Sequence, residues 1–361
     1  MKKFVPQYIL DISPYNPGKP IEEVEREFGI RDAVKLASNE NPIGPSPKAV
    51  ASLKGELKKM SFYPDSHSFY LKRELALRFK VSENNLIIGN GSNELIEILT
   101  RAFIRPGVSA VIANQAFAVY QMLVQVVGGE KIIVPLSNYT HDLQAMRKAV
   151  KNNTRMIFIA NPNNPTGTIV RNKEFEDFLY SVPEDILIVL DEAYAEYVMD
   201  EDYPNSIELF SMRKNLVILR TFSKIYGLAG LRVGYGIAHE EIVEIMHKIR
   251  QPFNVNSAGQ ITALAALSDE EHVESSRTLN AEGKEYLYGE FERMELDYVP
   301  TEANFILVDC GIDCNEIFLK LLKLGVIVRP MAGYGLPTSF RVTIGTAKDN
   351  RKFISALKKV L

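Results

Sequence analysis

The sequence predicts an α/β fold in which helices cover both faces of a mainly parallel sheet. Between residues 85 and 220, short apolar runs alternate with segments that have helical spacing of apolar residues. Continuous apolar runs are typical of strands buried on both faces of a parallel sheet, and this alternation is typical of α/β proteins. The chain has 361 residues, which is enough for a large and a small lobe.

The apolar runs place the predicted elements in order along the chain. We predict strands at 86–88, 110–112, 131–134, 156–159, 186–190 and 216–219. Helices are predicted at 92–104, 117–127, 142–151, 171–181, 239–251, 257–267 and 270–294, before a strand, helix, strand and helix that complete the chain. We therefore predict an N-terminal arm at 1–35 that joins the small lobe, a large domain at 36–255, and a small domain at 256–361.

Composition gives no indication of a nucleic-acid or membrane protein. Lys and Arg number 42 against 45 Asp and Glu, so the net charge is −3 and gives no electrostatic reason to expect nucleic acid or an anionic membrane as partner. No apolar stretch approaches the ~20 residues of a membrane span, and no signal peptide is evident. Two cysteines without a His/Cys cluster predict neither disulfides nor a metal site. We expect a cytoplasmic protein.

Two turns that follow predicted strands have the composition of ligand-binding loops. The segment Gly89-Asn90-Gly91-Ser92-Asn93-Glu94 opens a helix, where backbone N–H groups can bind an anion, although a tight turn capped by Ser92 or Asn93 explains it equally well. The segment Asn161-Pro162-Asn163-Asn164-Pro165-Thr166-Gly167 is either a proline-fixed turn or a rigid loop that aims an amide at a ligand.

Two further segments place ionisable groups at strand ends. Asp191-Glu192-Ala193-Tyr194 closes the strand 186–190, and its carboxylate could cap a helix or pair with a cationic ring nitrogen. Thr221-Phe222-Ser223-Lys224 ends the next strand, where a buried lysine is costly unless it is paired or deprotonated. A lowered lysine pKa is also what Schiff-base chemistry requires, and two hydroxyls with Arg232 nearby would suit a phosphate.

The order of these segments, each at a strand end, resembles the fold-type I aminotransferases that depend on pyridoxal phosphate. The resemblance runs over nearly the whole chain and implies a mainly parallel seven-stranded sheet with a smaller α/β domain. Four segments are similar to the histidinol-phosphate aminotransferase branch: 36–42 (LASNENP), 63–65 (YPD), 227–235 (GLAGLRVGY) and 340–346 (FRVTIGT).

The resemblance implies a role for each residue around the cofactor. Lys224 would carry pyridoxal phosphate as an imine and then act as general base on the substrate. Asp191 would pair with the pyridine nitrogen, Asn164 and Tyr194 would hydrogen-bond the phenolic oxygen, and Phe117 would stack on the ring. The implied contacts to the phosphate are Gly91, Ser92, Asn93, Thr221, Ser223, Arg232 and Tyr63.

Tyr63 matches a tyrosine that reaches the phosphate from the neighbouring subunit. The resemblance therefore implies a homodimer with shared active sites, whereas composition alone would favour an exposed loop tyrosine. Where the family has a proline two residues before the stacking aromatic, this sequence has Gln115.

The resemblance also implies the substrates, an amino donor and a 2-oxo acid. Arg341 would bind the carboxylate of the amino acid beside Asn164, and Arg329 and Tyr15 would bind a substrate phosphate. We predict reversible amino transfer between histidinol phosphate and 2-oxoglutarate, as in histidine biosynthesis. The alternatives are an aromatic amino acid aminotransferase, a decarboxylase of a phosphorylated amino acid, and the cofactor-sensing domain of a transcription regulator.

Overall fold

A computed structural model describes residues 1–14 and 18–361 of the chain. The strands are β1 (Val34–Lys35), β2 (Leu86–Gly89), β3 (Ser109–Ala113), β4 (Glu130–Val134), β5 (Thr154–Ala160), β6 (Leu187–Asp191), β7 (Leu216–Thr221), β8 (Gly234–Ile237), β9 (Asp297–Val299), β10 (Phe305–Asp309), β11 (Val326–Ile327), β12 (Arg329–Pro330) and β13 (Ser339–Thr343). The α-helices are α1 (Gln7–Leu10), α2 (Ile21–Phe28), α3 (Pro47–Glu56), α4 (Phe69–Phe79), α5 (Ser92–Phe103), α6 (Ala118–Val126), α7 (Leu143–Lys148), α8 (Asn172–Ser181), α9 (Ser206–Met212), α10 (Glu240–Ile249), α11 (Ser257–Leu267), α12 (Glu270–Arg293), α13 (Cys314–Lys323) and α14 (Ala347–Val360).

The large lobe is built on a seven-stranded sheet of order β2-β8-β7-β6-β5-β3-β4. Its strands are parallel except β8, which pairs antiparallel with both β2 and β7. Residues along β5 alternate between two buried clusters: Ile157 and Ile159 lie in one, and Met156 and Phe158 in the other. The sheet is therefore buried on both faces, which confirms the predicted fold class.

The predicted strands and helices up to residue 294 agree with the structure, with ends that differ by up to three residues. The strand β8 was not predicted, because glycines at 234 and 236 interrupt its apolar pattern. Gly234 is needed for packing, since a Cβ there would lie 2.4 Å from the backbone nitrogen of Ser92. Contacts with neighbouring elements require glycine at this position, and the local sequence pattern does not reveal those contacts.

The smaller lobe contains a four-stranded antiparallel sheet of order β12-β13-β10-β9. The N-terminal segment joins this lobe, because β1 pairs with β11 and Val24 of α2 packs against Leu322 and Ile327. In contrast, Ala263 and Ala266 of α11 belong to a buried cluster of the large lobe. The boundary at residue 255/256 stays a prediction, and the packing of α11 favours one farther along the chain.

Across residues 1–14 and 18–361, no helix combines the length and the apolarity that crossing a membrane requires.

Candidate active site

A cavity of about 260 Å³ lies where the carboxyl ends of β5, β6 and β7 meet the small-lobe strand β13. Ligands bind at this edge in open α/β sheets, because successive loops diverge there. Most of the residues predicted to bind cofactor or substrate line it: Ser92, Asn93, Phe117, Asn164, Asp191, Tyr194, Thr221, Ser223, Lys224, Arg232, Arg329 and Arg341.

Lys224 follows β7 and extends its amine into the cavity. Its Nζ donates to the carbonyl oxygens of Ser38 and Asn39 at 3.2 and 3.3 Å, and it lies 5.4 Å from the ring centroid of Tyr194. These contacts hold the amine between the end of β7 and the segment that follows β1. A lysine in this position can react with an aldehyde or accept a proton from a bound substrate.

Asp191 is a fully buried carboxylate at the end of β6, and burial raises its pKa to about 6. Two hydrogen bonds oppose that shift: Tyr120 Oη donates to Oδ2 at 2.7 Å, and the Ala193 backbone nitrogen donates to Oδ1 at 3.2 Å. The Tyr120 ring is stacked on Phe158 at 4.8 Å, which fixes its direction. A cation beside Asp191 would stabilise the ionised carboxylate further.

An anion pocket lies between the start of α5 and the residues after β7. Gly91 has a φ of +77°, and a Cβ there would lie 2.4 Å from Arg232 Nη2, so a side chain at this position would displace the guanidinium. Among the described residues, no side chain caps α5, and Ser92 and Asn93 of its first turn line the cavity. Arg232 Nη1 donates to Ser223 Oγ at 3.4 Å. Backbone donors, a helix N-terminus and an arginine together suit a phosphate.

Arg341 and Asn164 form the opposite wall of the cavity. Arg341 is 7% exposed; its Nη1 donates to Asn164 Oδ1, and its Nη2 donates to the Ala37 carbonyl at 2.8 Å. Its guanidinium also lies 5.1 Å from the ring centroid of Phe305. The peptide bond between Asn164 and Pro165 is cis. A buried guanidinium in this position can receive a substrate carboxylate.

Arg329 lies beside Arg341, because the two residues are register partners on β12 and β13. Directly opposed residues of an antiparallel pair project from the same face, so both guanidiniums face the same ligand region. Tyr15, the other residue predicted to bind a substrate phosphate, lies outside the described residues.

Tyr63 is not among the residues that line the cavity of its own chain. Its side chain is 82% exposed and stacks on Phe253 with ring centroids 4.7 Å apart. Phe62, Phe69 and Tyr70, which lie close to Tyr63 in the sequence, are exposed as well, and the rings of Phe69 and Tyr70 contact each other edge-on at 5.3 Å.

Sequence reasoning missed two polar residues of the site. Tyr120 lines the cavity and contacts Asp191, and Asn39 lines it and contacts Tyr194. Helical spacing gave a signal for Tyr120, since it lies three residues after Phe117, but a buried tyrosine on an amphipathic helix is ordinarily core. The sequence also did not predict the hydrogen bond that Asn163 Nδ2 donates to the backbone carbonyl of Gln115 at 2.9 Å. This bond holds the loop before Phe117 in place.

Comparison with solved structures supports the fold. Histidinol-phosphate aminotransferase of Sinorhizobium meliloti, solved in complex with pyridoxal-5'-phosphate, superposes with a TM-score of 0.91 at 28% identity, over 98% of this chain and 96% of that one. Aspartate aminotransferase of Thermus thermophilus superposes with a TM-score of 0.86 over 99% of each chain, at 20% identity, and so shows the shared fold alone.

Comparison with known sequences identifies the family. The chain is 53% identical to histidinol-phosphate aminotransferase of Moorella thermoacetica, over 98% of this chain and 92% of that protein. It is 48% identical to the enzyme of the same name from Caldicellulosiruptor saccharolyticus, over 98% of this chain and 99% of that protein. The family described as aminotransferase class I and II matches residues 31–357. The chain therefore belongs to the aminotransferase class I and II family.

Proposed function

We propose that the chain is a pyridoxal-phosphate-dependent aminotransferase that exchanges an amino group between histidinol phosphate and 2-oxoglutarate. The single observation that carries the proposal is that Lys224 and Asp191, from neighbouring strand ends, face one cavity with an anion pocket at one end and Arg341 at the other. The names of the relatives at 53% and 48% identity agree with it. A cytoplasmic location stays a prediction.

The residues of the cavity fit the three polar parts of pyridoxal phosphate. The pocket formed by Ser92, Ser223 and Arg232 suits the phosphate, and Asp191 suits a protonated ring nitrogen. Lys224 supplies an amine for the aldehyde carbon. When bound, the cofactor supplies a ring that accepts the electrons released when a bond to the substrate Cα breaks.

The chain's own residues then have separate tasks. Lys224 Nζ would hold the cofactor through its aldehyde carbon and, when free, would accept the proton of the substrate Cα. Asp191 would hold the proton on the ring nitrogen, because a facing cation stabilises its buried carboxylate. Tyr194 and Asn164 would donate hydrogen bonds to the phenolic oxygen, and Phe117 would stack on the ring. Each role is supported by the position of the side chain along the cavity wall.

Paired arginines suit two substrates that carry different anions. Glutamate presents a carboxylate, and histidinol phosphate presents a phosphate, so the ligand region must accept either. Arg341, buried beside Asn164, would bind the carboxylate, and Arg329 on the neighbouring strand would bind the phosphate; the pairing of the two residues across the strands supports these roles. A role for Tyr15 in binding the phosphate remains a prediction from the resemblance.

The test is a set of half-reactions with the cofactor-loaded protein. Histidinol phosphate and glutamate should each remove the visible absorption of the bound cofactor, and phenylalanine should do so at least about tenfold more slowly (about 1.4 kcal/mol in the barrier). In the Arg329→Gln variant, the rate with histidinol phosphate should fall more than the rate with glutamate. A faster reaction with phenylalanine or tyrosine would instead indicate an aromatic aminotransferase, and release of CO₂ a decarboxylase.

We also propose that the protein is a homodimer in which Tyr63 reaches the phosphate of the partner's cofactor. The support is the exposure of Tyr63 and the fact that it does not line the cavity of its own chain. An isologous dimer would bury Tyr63 of both chains at one interface.

Mixing two inactive variants tests the shared site. Tyr63→Asp places a carboxylate where a phosphate is expected, and Lys224→Ala removes the amine. After subunit exchange, random mixing should restore about a quarter of wild-type activity, because half of the dimers would contain one intact site of two. The control mixes Lys224→Ala with Asp191→Asn, which belong to the same chain's site, and should restore nothing. No recovery in the test mixture, once subunit exchange has been demonstrated, would refute the proposal.

A further inference from the structure

Asn39 is a buried residue for which the proposed cofactor and substrate contacts give no role. It is 1% exposed, and its φ is +56°. The left-handed backbone conformation is strained for most residues, and asparagine is among the few non-glycine residues that adopt it at small cost. The position therefore combines an unusual backbone conformation with a polar side chain that is almost completely buried.

Residues of the small lobe fix the direction of the Asn39 amide. The Asn39 backbone nitrogen donates to Thr343 Oγ1 at 2.9 Å, and the Thr343 hydroxyl donates in turn to Asn39 Oδ1 at 3.3 Å. Asn304 Nδ2 donates to the Asn39 carbonyl at 3.1 Å. With Oδ1 held by Thr343, Nδ2 faces Tyr194, whose Oη lies 2.9 Å away.

This arrangement decides which atom of the Asn39–Tyr194 pair is the donor. An amide NH₂ group only donates, so the Tyr194 hydroxyl oxygen accepts, and its own proton must point to another partner. The Tyr194 ring is 4% exposed and packs edge-on against Phe305 at 5.2 Å, so the hydroxyl cannot turn away by moving the ring. A hydroxyl that accepts one hydrogen bond is also a stronger donor in a second.

We propose that Asn39 is a positioning residue that aims the hydroxyl proton of Tyr194 at the phenolic oxygen of the bound cofactor. The inference rests on the proposed function, which places that oxygen beside Tyr194. Asn39 contacts Tyr194 in the large lobe while Thr343, two residues from Arg341, holds Asn39 from the small lobe. The substrate-binding strand and the tyrosine at the cofactor are thus joined through one amide.

The test is the pH titration of the visible absorption of the bound cofactor. Donation from Tyr194 stabilises the anionic phenolic oxygen, so loss of that donation should raise the titration midpoint. Asn39→Gly keeps the backbone conformation and removes the amide, and it should raise the midpoint by about half to one pH unit. Asn39→Asp, which accepts the Tyr194 proton instead of donating, should raise it by at least as much.

A double-variant comparison separates positioning from general loss of structure. Tyr194→Phe alone should raise the midpoint, and adding Asn39→Gly to it should raise it no further, because no hydroxyl remains to be aimed. The control is Asn280→Ala, a buried asparagine that donates to the Ala303 carbonyl at 3.2 Å; it should lower the stability to urea without moving the midpoint.

The possible results distinguish this inference from the proposed function. If the wild-type protein has no visible band that borohydride removes irreversibly, the proposed cofactor chemistry fails. If the band is present and Asn39→Gly leaves its midpoint unchanged, or shifts it equally with and without the Tyr194 hydroxyl, the inference about Asn39 is wrong while the proposed function stands.

Discussion

Replacing Tyr120 with phenylalanine removes the hydroxyl that donates to Asp191 Oδ2 at 2.7 Å and leaves the ring stack on Phe158 in place. Asp191 is buried, and burial already raises its pKa to about 6 in the cofactor-free protein. The hydrogen bond from Tyr120 favours the ionised carboxylate, so its loss should raise that pKa further. We expect the variant to bind a cationic ring nitrogen more weakly at neutral pH.

The magnitude follows from the strength of a hydrogen bond to a charged group. Such a bond contributes about 1.5–3 kcal/mol, which corresponds to about 1–2 pKa units and moves the pKa of Asp191 from about 6 to about 7–8. The ionised fraction at pH 7 then falls from about nine-tenths to between about one-half and one-tenth. Cofactor affinity at pH 7 should fall about 2- to 10-fold and should recover near pH 9, where Asp191 is again ionised.

The assay measures the dissociation constant of pyridoxal phosphate for the wild type and for Tyr120→Phe at several pH values. The ratio of the two constants cancels the titration of the cofactor itself. Tyr288→Phe is the control, because its hydroxyl accepts from the Thr301 backbone nitrogen at 2.8 Å in the small lobe; its ratio should stay near one. A Tyr120→Phe ratio that is flat from pH 6 to 9, or that grows at high pH, would refute the reasoning.

Four further predictions concern the amine, the carboxylate and the anion pocket. Lys224→Ala should abolish turnover and the borohydride-sensitive visible band while cofactor still binds through its phosphate, as equilibrium dialysis would show; near wild-type turnover would contradict the role. Asp191→Asn should lower activity by several orders of magnitude, and a loss under about threefold (0.65 kcal/mol) would count against the charge pairing. Burial raises the folded-state pKa of Asp191 to about 6, so the protonated carboxyl stabilises the cofactor-free fold by about 3 kcal/mol below about pH 4. This contribution is lost as the pH rises through 6. The difference in the free energy of unfolding by urea between wild type and Asp191→Asn should therefore fall over this pH range. Gly91→Ala should lose both stability and cofactor affinity, because a Cβ there meets Arg232, whereas the control Gly107→Ala, at φ +81° with open space around it, should lose stability alone, by about 1 kcal/mol. Equal cofactor affinity in these two glycine variants would contradict the close approach.

Local patterns in the sequence predicted most of the large-lobe sheet. Strands buried on both faces carry apolar residues at most positions, so β5 and β6 appear as short continuous apolar runs, whose length favours a strand. The strand β8 was missed, because its two glycines are selected by close packing on neighbouring strands. Helix α11 was correctly bounded, but its packing against the large lobe does not follow from its own sequence.

The sequence by itself determined which chemical groups stand at the strand ends, since a strand, its turn and the polar residue that follows lie within a few residues of one another. Lys224, Asp191 and Asn164 were identified in this way, with the resemblance supplying their roles. Only the tertiary structure decided which partners complete them. The bond between Tyr120 and Asp191 spans 71 residues, and the bond between Asn39 and Tyr194 spans 155. Such contacts depend on how separate elements pack, and the sequence around a buried hydrogen-bond donor does not indicate which distant acceptor it will contact.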